Sequence, residues 1–496
     1  MAERKEFSMD EEFAGLDFHS IRLERRFIRT METLIKQPDK SIWYSSEDRA
    51  EAKAIYRMLG NEAFDREEIA QAHRTATIRR MAEYGGTILA VQDTTGVNYD
   101  NHLKTEGIGY ISDKTLGLNV HTCLAVTADG LVLGVLDQSS YNRSEAKDES
   151  ATHDSKKIRP IEEKESYRWL ETLERSTADI PESIKVVTVC DREGDMYELF
   201  TKAASLNKPL LIRIVQNRMT VENKRILDEI QKKKCQGRLG VTLPRDSRNS
   251  IPEREAVLQL RYAQFAVKRP HILNPVKSVP DMVDMNIVYV KEEHPPKGNK
   301  PIEWFLATTE PVTTPEEAYE KVGYYMQRWK IERFHYVLKS GCAIEKLQER
   351  SIERMTTLIL MYSVIAVMIL NMTYAGRLTP DLPCSMLLEK EEWQLLYCVA
   401  NKTKTPPKSP YSVAEAITWL GQLGGPKRAI KRWTSWRKDH LDWAYETLHP
   451  ACISGVSLIL WVKFSLKGGV SEDFPLKYQN NSNCFFIICL YSFSVP

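Results

Sequence analysis

Two apolar segments, each ending in an aspartate, most strongly limit the fold of this chain. Thr87–Gln92 is an apolar run that ends at Asp93, and Lys185–Cys190 is a β-branched run that ends at Asp191. Runs of this length and composition predict strands, and residues 165–175 between them have a helical pattern. Strands that alternate with helices predict a mixed α/β sheet flanked by helices, in which ligands bind beyond the strand ends.

The rest of the chain divides into regions by similar patterns. The predicted regions are a helical N-terminal domain at 1–80, an α/β domain at 81–377, a helical C-terminal region at 378–449 and a divergent tail at 450–496. Strand-like segments with Pro- and Lys-rich links predict a β-rich insertion at about residues 216–310 of the α/β domain. Asp129-Gly130, between two apolar runs, predicts a hairpin.

Composition argues against several classes of protein. The 496 residues include 69 Lys+Arg and 67 Asp+Glu, so the net charge of +2 does not by itself indicate nucleic acid. Nine cysteines without a Cys-x-x-Cys pair argue against a zinc ribbon and favour reduced thiols in the cytoplasm. The N-terminus lacks the apolar segment of a signal peptide, and the run Leu358–Leu370 is short for a membrane span.

A segment late in the α/β domain, Tyr325–Lys339, is predicted to be a helix with an unusual polar face. Tyr325, Arg328, Glu332 and Lys339 lie at offsets 0, 3, 7 and 14, which places them within about 60° of arc. A carboxylate flanked by cations and a phenol can serve a metal and phosphate site. An ordinary pair of Arg328 with Glu332 on a solvated helix explains the same pattern, so the helix alone does not decide.

The helix predicted at Ser20–Lys36 carries a basic stripe. Its members are Arg22, Arg25, Arg26 and Arg29. They fall within about 100° of the helix circumference, which suits contacts with the phosphates of DNA. A solvated helix face is an equally good explanation.

Three carboxylates together predict a metal site. Asp is common at turns, so one strand-end Asp is weak evidence, but Asp93 and Asp191 are joined by Glu332 on the later helix. Such a set can hold a pair of Mg²⁺ or Mn²⁺ ions that stabilise the attacking and leaving oxygens of a phosphodiester displacement. Glu193 and Asp195 are competing ligands beside Asp191.

These residues carry a family resemblance. The segments Val-Gln-Asp93-Thr-Thr, Val-Cys-Asp191-Arg-Glu-Gly-Asp and Tyr325-x2-Arg328-x3-Glu332-x6-Lys339 resemble the DDE transposases of bacterial insertion sequences. The subgroup is insertion-sequence family four, which has the Y-R-E-K signature. The resemblance runs from about residue 10 to about residue 448. It implies a ribonuclease-H-like catalytic core with a β-rich insertion before the helix of Glu332.

The resemblance also implies roles for individual residues. Asp93, Asp191 and Glu332 would be catalytic residues and metal ligands, for two Mg²⁺ ions with Mn²⁺ as a substitute. The implied DNA-contacting residues are Tyr325, Arg328, Lys339, Trp304 and Arg213. Among these, Trp304 would pack on a flipped base, although a core aromatic is the plainer explanation of a lone tryptophan.

The function implied is that of an enzyme, a cut-and-paste DNA transposase. Its partners would be double-stranded DNA, both inverted-repeat ends and target, and a second copy of the chain through residues 378–449, with no membrane. Cleavage would be followed by hairpin formation and strand transfer. Two alternatives stay open at this point: a metal-dependent nuclease on the same fold without strand transfer, and a non-catalytic DNA-binding protein.

Overall fold

The computed structural model describes most of the chain as two compact units. The described residues are 9–102, 104–112, 114–144, 160–243, 254–273, 279–296, 298, 301–378, 381–386, 388, 390–423 and 486–487. Over these residues, one unit takes in Met1–Thr77, Gly96–Leu118 and Arg333–Ser471, and the other takes in Ile78–Thr95, Asn119–Glu332 and Glu472–Pro496. We call them the helical unit and the sheet unit.

The N-terminal region is helical, as predicted. Its helices are α1 Met9–Glu12, α2 Ile21–Lys36, α3 Ile42–Ser45, α4 Arg49–Leu59 and α5 Arg66–Tyr84. Helix α2 buries Leu23, Phe27 and Met31 on its apolar side. The Asp48 side chain begins α4 by accepting a 2.8 Å hydrogen bond from the Glu51 amide. Helix α5 ends at Tyr84 and so runs past residue 80, where the predicted N-terminal domain ends.

Strands and helices then alternate along the chain. The strands are β1 Ile88–Asn98, β2 Gly109–Tyr110, β3 Leu116–Thr127, β4 Val132–Tyr141, β5 Val186–Cys190, β6 Leu210–Arg213, β7 Gly237–Leu243, β8 Arg254–Lys268, β9 Met282–Glu293 and β10 Glu303–Thr308. The helices are α6 Tyr167–Thr177, α7 Tyr197–Ser205, α8 Ile226–Lys232, α9 Pro315–Gln327 and α10 Trp329–Tyr336. The predicted mixed α/β order is therefore confirmed, with helix α8 as an unpredicted addition.

Neighbouring strands of the sheet unit run in the order β7-β8-β9-β10-β6-β5-β1-β3, with β4 beside β3. Strand β5 is parallel to both β1 and β6. Strands β3 and β4 form the predicted antiparallel hairpin, and Gly130 in its turn has a φ of +96°, which favours glycine. Strands β7 to β10 are antiparallel and extend this sheet, because β10 pairs with β6.

The two faces of the sheet differ in what they carry. Side chains alternate between faces along each strand, so Asp93 and Asp191 lie on one face, which we call the front face. Cys190 and Ile212 lie on the opposite, back face. They pack in one core with side chains of α6 and α7, among them Trp169. Helix packing on the back face therefore fixes the two strands whose ends carry the aspartates.

The C-terminal part described belongs to the helical unit. Its helices are α11 Ile352–Leu378, α12 Lys390–Asn401 and α13 Val413–Leu423. Ser412 and Glu415 form a reciprocal cap at the start of α13: the Glu415 amide donates to the Ser412 hydroxyl, and the Ser412 amide donates to the Glu415 carboxylate. Residues 424–449 of the predicted C-terminal region lie outside the described residues. So does the predicted tail, except for a two-residue strand, Phe486–Ile487, parallel to β7.

One described helix passes a length and composition test for a membrane span. It is the Ile352–Asn371 part of α11, with a mean hydropathy of 1.7. Because 78% of that window is buried within the protein, the helix has the character of a core helix, and the test is weak evidence for a membrane.

Candidate active site

Asp93 and Asp191 lie side by side on the front face. Val91 of β1 is opposite Val189 of β5 in the parallel register, and each aspartate comes two residues further along its strand. Neighbouring strands are about 4.8 Å apart, so the register brings the two carboxyl groups together. The pairing of β1 with β5 thus places the two strand-end aspartates beside each other.

Each aspartate is held by a backbone amide that follows it. The Thr94 amide donates to Asp93 Oδ1 over 2.8 Å. The Glu193 amide donates to Asp191 Oδ1 over 2.7 Å. One oxygen of each carboxyl group is therefore oriented by the local chain.

The turn after Asp191 depends on a glycine. Residues Arg192–Gly194 form a single 3₁₀ turn capped by Asp191. A Cβ on Gly194 would lie 3.1 Å from the Cβ of Cys190 and 3.0 Å from Ile212 Cδ1. Only glycine lets this turn pack so closely on the ends of β5 and β6.

The helix of Glu332 is not the single regular helix predicted from Tyr325 to Lys339. Helix α9 ends at Gln327 and α10 begins at Trp329. At the junction the Arg328 amide bonds to the Tyr325 carbonyl over 3.1 Å, a tightened i,i+3 turn. Lys339 lies in the π-helical turn Val337–Gly341. The arc calculated for a uniform helix therefore does not apply across this segment, although Arg328 still contacts both Tyr325 and Glu332.

Arg328 joins two of the three predicted metal ligands. Its guanidinium contacts Glu332 Oε1 through Nη2 and lies 3.8 Å from Asp93 Oδ2 through Nη1. Its side chain is only 17% exposed, so solvent screens these contacts weakly. Burial opposes the guanidinium charge, but the surrounding anionic groups raise the pKa of Arg328 overall. The Arg328–Glu332 pair thus exists and extends to Asp93.

The carboxyl groups crowd one another. Burial, then the neighbouring charge of Asp191, raise the pKa of Asp93 from 3.8 to about 7. Glu332 adds a smaller raising effect, while Arg328 and the Thr94 amide oppose the rise. The ionised form of Asp93 is therefore unfavourable in the folded protein unless a further cation binds beside it.

The donor groups fit a hard divalent ion in their chemistry. Carboxylate oxygens are the ligands that Mg²⁺ takes from proteins, and Asp93 and Asp191 are adjacent. Among the residues that the structure describes, however, no group of three or more His, Cys, Asp or Glu side chains is arranged to hold a metal ion. Contact with Arg328 turns Glu332 toward the guanidinium. The assignment of all three as metal ligands stays a prediction.

The two competing carboxylates have other partners. Asp195 is buried and accepts hydrogen bonds from the Val215 and Gln216 amides, at 2.7 and 2.8 Å, and from the Arg218 guanidinium. Glu193 faces Arg168, whose Nη2 lies 3.3 Å from Glu193 Oε2. Both carboxylates therefore have partners of their own, which disfavours them as metal ligands.

Two of the predicted DNA-contacting residues, Arg213 and Tyr325, lie close to Asp191, and Trp304 contacts Tyr325. Arg213 follows the register pair Cys190–Ile212 and so lies at the level of Asp191 on the front face. Burial raises the pKa of the Tyr325 phenol, and the nearby guanidinium groups of Arg328 and Arg213 oppose the rise. The Trp304 ring meets Tyr325 edge-on at 5.3 Å.

Trp304 is 7% exposed, as a core aromatic would be. Stacking of Trp304 on a flipped base would need ring surface that neighbouring residues now cover. The base-stacking role therefore stays a prediction.

Lys339 belongs to the helical unit. Its Nζ lies 3.9 Å from Glu345 Oε1, and burial lowers the pKa of Lys339 while Glu345 opposes that fall. Its predicted place beside Glu332 stays a prediction.

The four arginines of the basic stripe on α2 differ in exposure and in ion pairing. Arg22 and Arg25 are exposed, and Arg26 is half-buried. Arg29 is exposed too, but it pairs with Glu51 at 3.2 Å and with Glu47 at 3.5 Å. Phosphate contact by Arg29 would compete with these carboxylates.

Sequence reasoning did not single out Arg168. It lies on α6, donates from Nε to the Thr94 hydroxyl over 3.1 Å and is 14% exposed. An arginine in an ordinary amphipathic helix gives no signal of such a role, because its partners are distant in the chain.

Residues 7–64 match a family model described as transposase DNA-binding. A comparison with solved structures finds a similarity to the piggyBac transposase, in a cryo-EM structure of its synaptic complex with hairpin DNA. The identity is 10%, and the match covers 72% of this chain and 66% of that chain, just under two thirds. Its TM-score of 0.33 is too low to establish a common fold.

Proposed function

We propose that this protein is a DNA transposase whose sheet unit cleaves DNA at the strand-end aspartates. The proposal rests on the combination of two findings. Residues 7–64 match a transposase DNA-binding model, and Asp93 and Asp191 lie in register at the ends of neighbouring parallel strands. A DNA-binding region explains the substrate, and crowded carboxylates beside cations explain the chemistry. The mixed sheet is compatible with a ribonuclease-H-like core.

The carboxylates and the arginines of the site would have separate roles. Asp93 and Asp191, with Glu332 once Arg328 releases it, would hold two Mg²⁺ ions or Mn²⁺ in their place. When bound, such ions stabilise charge on the attacking and leaving oxygens of an in-line displacement. Arg328 and Arg213 would bind phosphate oxygens and so orient the scissile strand.

The finer proposal is cut-and-paste transposition by an insertion-sequence transposase with the Y-R-E-K signature. The protein would act on inverted-repeat ends as a homodimer in the bacterial cytoplasm, and form a hairpin before strand transfer into target DNA. Lys339, Tyr325 and the α2 arginines would add phosphate contacts. These steps rest on the sequence resemblance.

A cleavage assay on DNA that carries the inverted repeats flanking the gene tests this proposal. The full-length protein with Mg²⁺ should cut only at matched repeats and should join the cut ends to a target plasmid. Cutting that ignores the repeats and leaves no joined product would favour the nuclease alternative. Binding to the repeats without any cutting would favour a DNA-binding protein that lacks catalysis.

The role of Trp304 can be separated from the rest. Trp304→Ala should slow hairpin formation more than first-strand nicking, because stacking an extruded base is worth about 1–3 kcal/mol per base. Trp304→Phe keeps an aromatic ring and serves as the matched control. Equal slowing of both steps by Trp304→Ala would indicate a packing role.

A further inference from the structure

The back face of the sheet carries a polar network directly behind the aspartates. Thr94 follows Asp93 and therefore points to the opposite face of β1. Its hydroxyl lies 2.8 Å from Nδ1 of the fully buried His121. His121 Nε2 in turn lies 3.4 Å from the Oε1 of Gln92. Both strand neighbours of Asp93 are thus bonded to one ring.

Arg168 extends this network to the second aspartate. Its Nε donates to the Thr94 hydroxyl over 3.1 Å, and its Nη2 contacts Glu193 Oε2 over 3.3 Å. Thr94 and Glu193 are the two residues whose amides hold Oδ1 of Asp93 and Asp191. One planar guanidinium therefore spans the two residues that orient the two carboxyl groups.

The guanidinium itself is firmly placed. Its Nη1 donates to the Glu165 carbonyl over 2.6 Å. Its Cζ lies 5.4 Å from the centre of the Tyr141 ring and 5.8 Å from that of Trp169. The fixed fork of an arginine can hold two separate acceptors at once, which a lysine ammonium does less well.

We propose that Arg168 is a positioning residue that sets the separation and orientation of Asp93 and Asp191. It touches neither aspartate and acts through Thr94 and Glu193. The inference rests on the proposed function, since it assigns Arg168 a part in the same site. Groups that orient metal ligands from behind typically change metal affinity or activity by roughly 10- to 100-fold when removed.

The test measures binding of Mn²⁺ alone to the full-length protein, by the electron paramagnetic resonance signal of the free ion. Arg168→Met keeps the apolar stem but removes the hydrogen bonds to Thr94 and Glu193, together with the one to the Glu165 carbonyl. It should weaken Mn²⁺ binding by roughly 10- to 100-fold and slow cleavage to a similar extent. Binding of DNA ends should change less than about twofold, because none of the contacts described for Arg168 involves a DNA-contacting residue.

Arg175→Met is the matched control. Arg175 lies two turns along the same helix and is also ion-paired, with Asp137 at 3.0 and 3.1 Å. Thermal midpoints of the two variants should agree, while only Arg168→Met loses Mn²⁺ affinity. Arg168→Lys should recover part of the loss.

A double-mutant cycle tests the route of the effect. Thr94→Val removes the hydroxyl but keeps the shape of the side chain. Combined with Arg168→Met, it should add less than its own separate loss of Mn²⁺ affinity, because both changes break the same bond.

The outcomes separate this inference from the proposed function. If the wild type binds Mn²⁺ and Arg168→Met does so as well as Arg175→Met, only the positioning role is overturned. Loss of end binding with intact Mn²⁺ affinity would also overturn it, in favour of a DNA contact. If Mn²⁺ binding by the wild type does not depend on Asp93, the proposed function fails and the positioning role fails with it.

Discussion

Asp93 and Asp195 are both largely buried aspartates with an arginine beside them, yet their surroundings differ. Asp195 accepts two backbone amides on Oδ2 and the Arg218 guanidinium on Oδ1, so both of its oxygens are satisfied. Asp93 accepts a hydrogen bond from the Thr94 amide, and Arg328 Nη1 lies 3.8 Å from its Oδ2. Asp93 also faces two further carboxyl groups, which help to raise its pKa to about 7.

The difference distinguishes a structural carboxylate from a candidate functional one. A buried ion pair whose oxygens are all bonded stabilises one conformation and has little capacity left for a ligand. A carboxyl group that lies beside other carboxyl groups lowers the stability of the folded protein. Such groups cluster at functional sites. Substitutions at the two places should therefore have opposite effects on folding.

The largest effect is expected at the structural pair. Asp195→Ala leaves the Arg218 guanidinium buried without its anion, which should lower the free energy of unfolding by about 3–5 kcal/mol. Urea unfolding followed by circular dichroism measures this. A change within about 0.5 kcal/mol, the range of ordinary surface substitutions, would mean that the pair is not structural.

A smaller loss is expected when the cation of the candidate site is removed. Arg328→Met leaves the carboxyl groups of Asp93 and Glu332 without their shared partner. The free energy of unfolding should fall by about 1–2 kcal/mol, a figure reduced for partial exposure of Glu332. Arg328→Lys keeps the charge and is the control. If both variants unfold at the wild-type midpoint, Arg328 does not neutralise this site.

The opposite sign is expected for Asp93→Asn in metal-free buffer. Because the pKa of Asp93 is raised to about 7, the folded state disfavours its ionised form, and wild-type stability falls as the pH rises from about 4 to 7. Asn carries no charge, so the variant should gain up to about 4 kcal/mol over the wild type above pH 7, the equivalent of about three pKa units, and nothing near pH 4. Thermal unfolding at both pH values checks this; a constant difference would refute charge crowding.

The smallest effect is expected at the basic stripe of α2. Arg22→Ala should reduce the salt dependence of DNA binding by about one counterion, because Arg22 is exposed. Arg29→Ala should reduce it less, because Glu47 and Glu51 compete for Arg29. Titrations at several salt concentrations compare the two slopes, and equal slopes would show that the ion pairs do not restrain Arg29.

The sequence predicted the parts of this account that depend on local pattern. Apolar runs ending in Asp93 and Asp191 indicated two strands that end in aspartates, since hydrophobic composition favours strands. The parallel pairing of these strands and its register are tertiary features that the runs do not encode. The tightened turn at Arg328 could not be predicted, because a uniform helical period hides a local change of winding. The partners of Asp195 and Arg168 depend on tertiary contacts 20 to 74 residues away in the chain, which no local pattern encodes.

Cleavage of end DNA by Asp93→Asn and Asp191→Asn tests the central claim most directly. Each variant should bind the ends within about twofold of the wild type, yet lose cleavage by about 10³-fold or more, because a ligand change removes several kcal/mol of transition-state stabilisation. Asp129→Asn, in the hairpin turn, is the matched control and should cleave normally. A folded Asp191→Asn variant that cleaves at the wild-type rate would contradict the account.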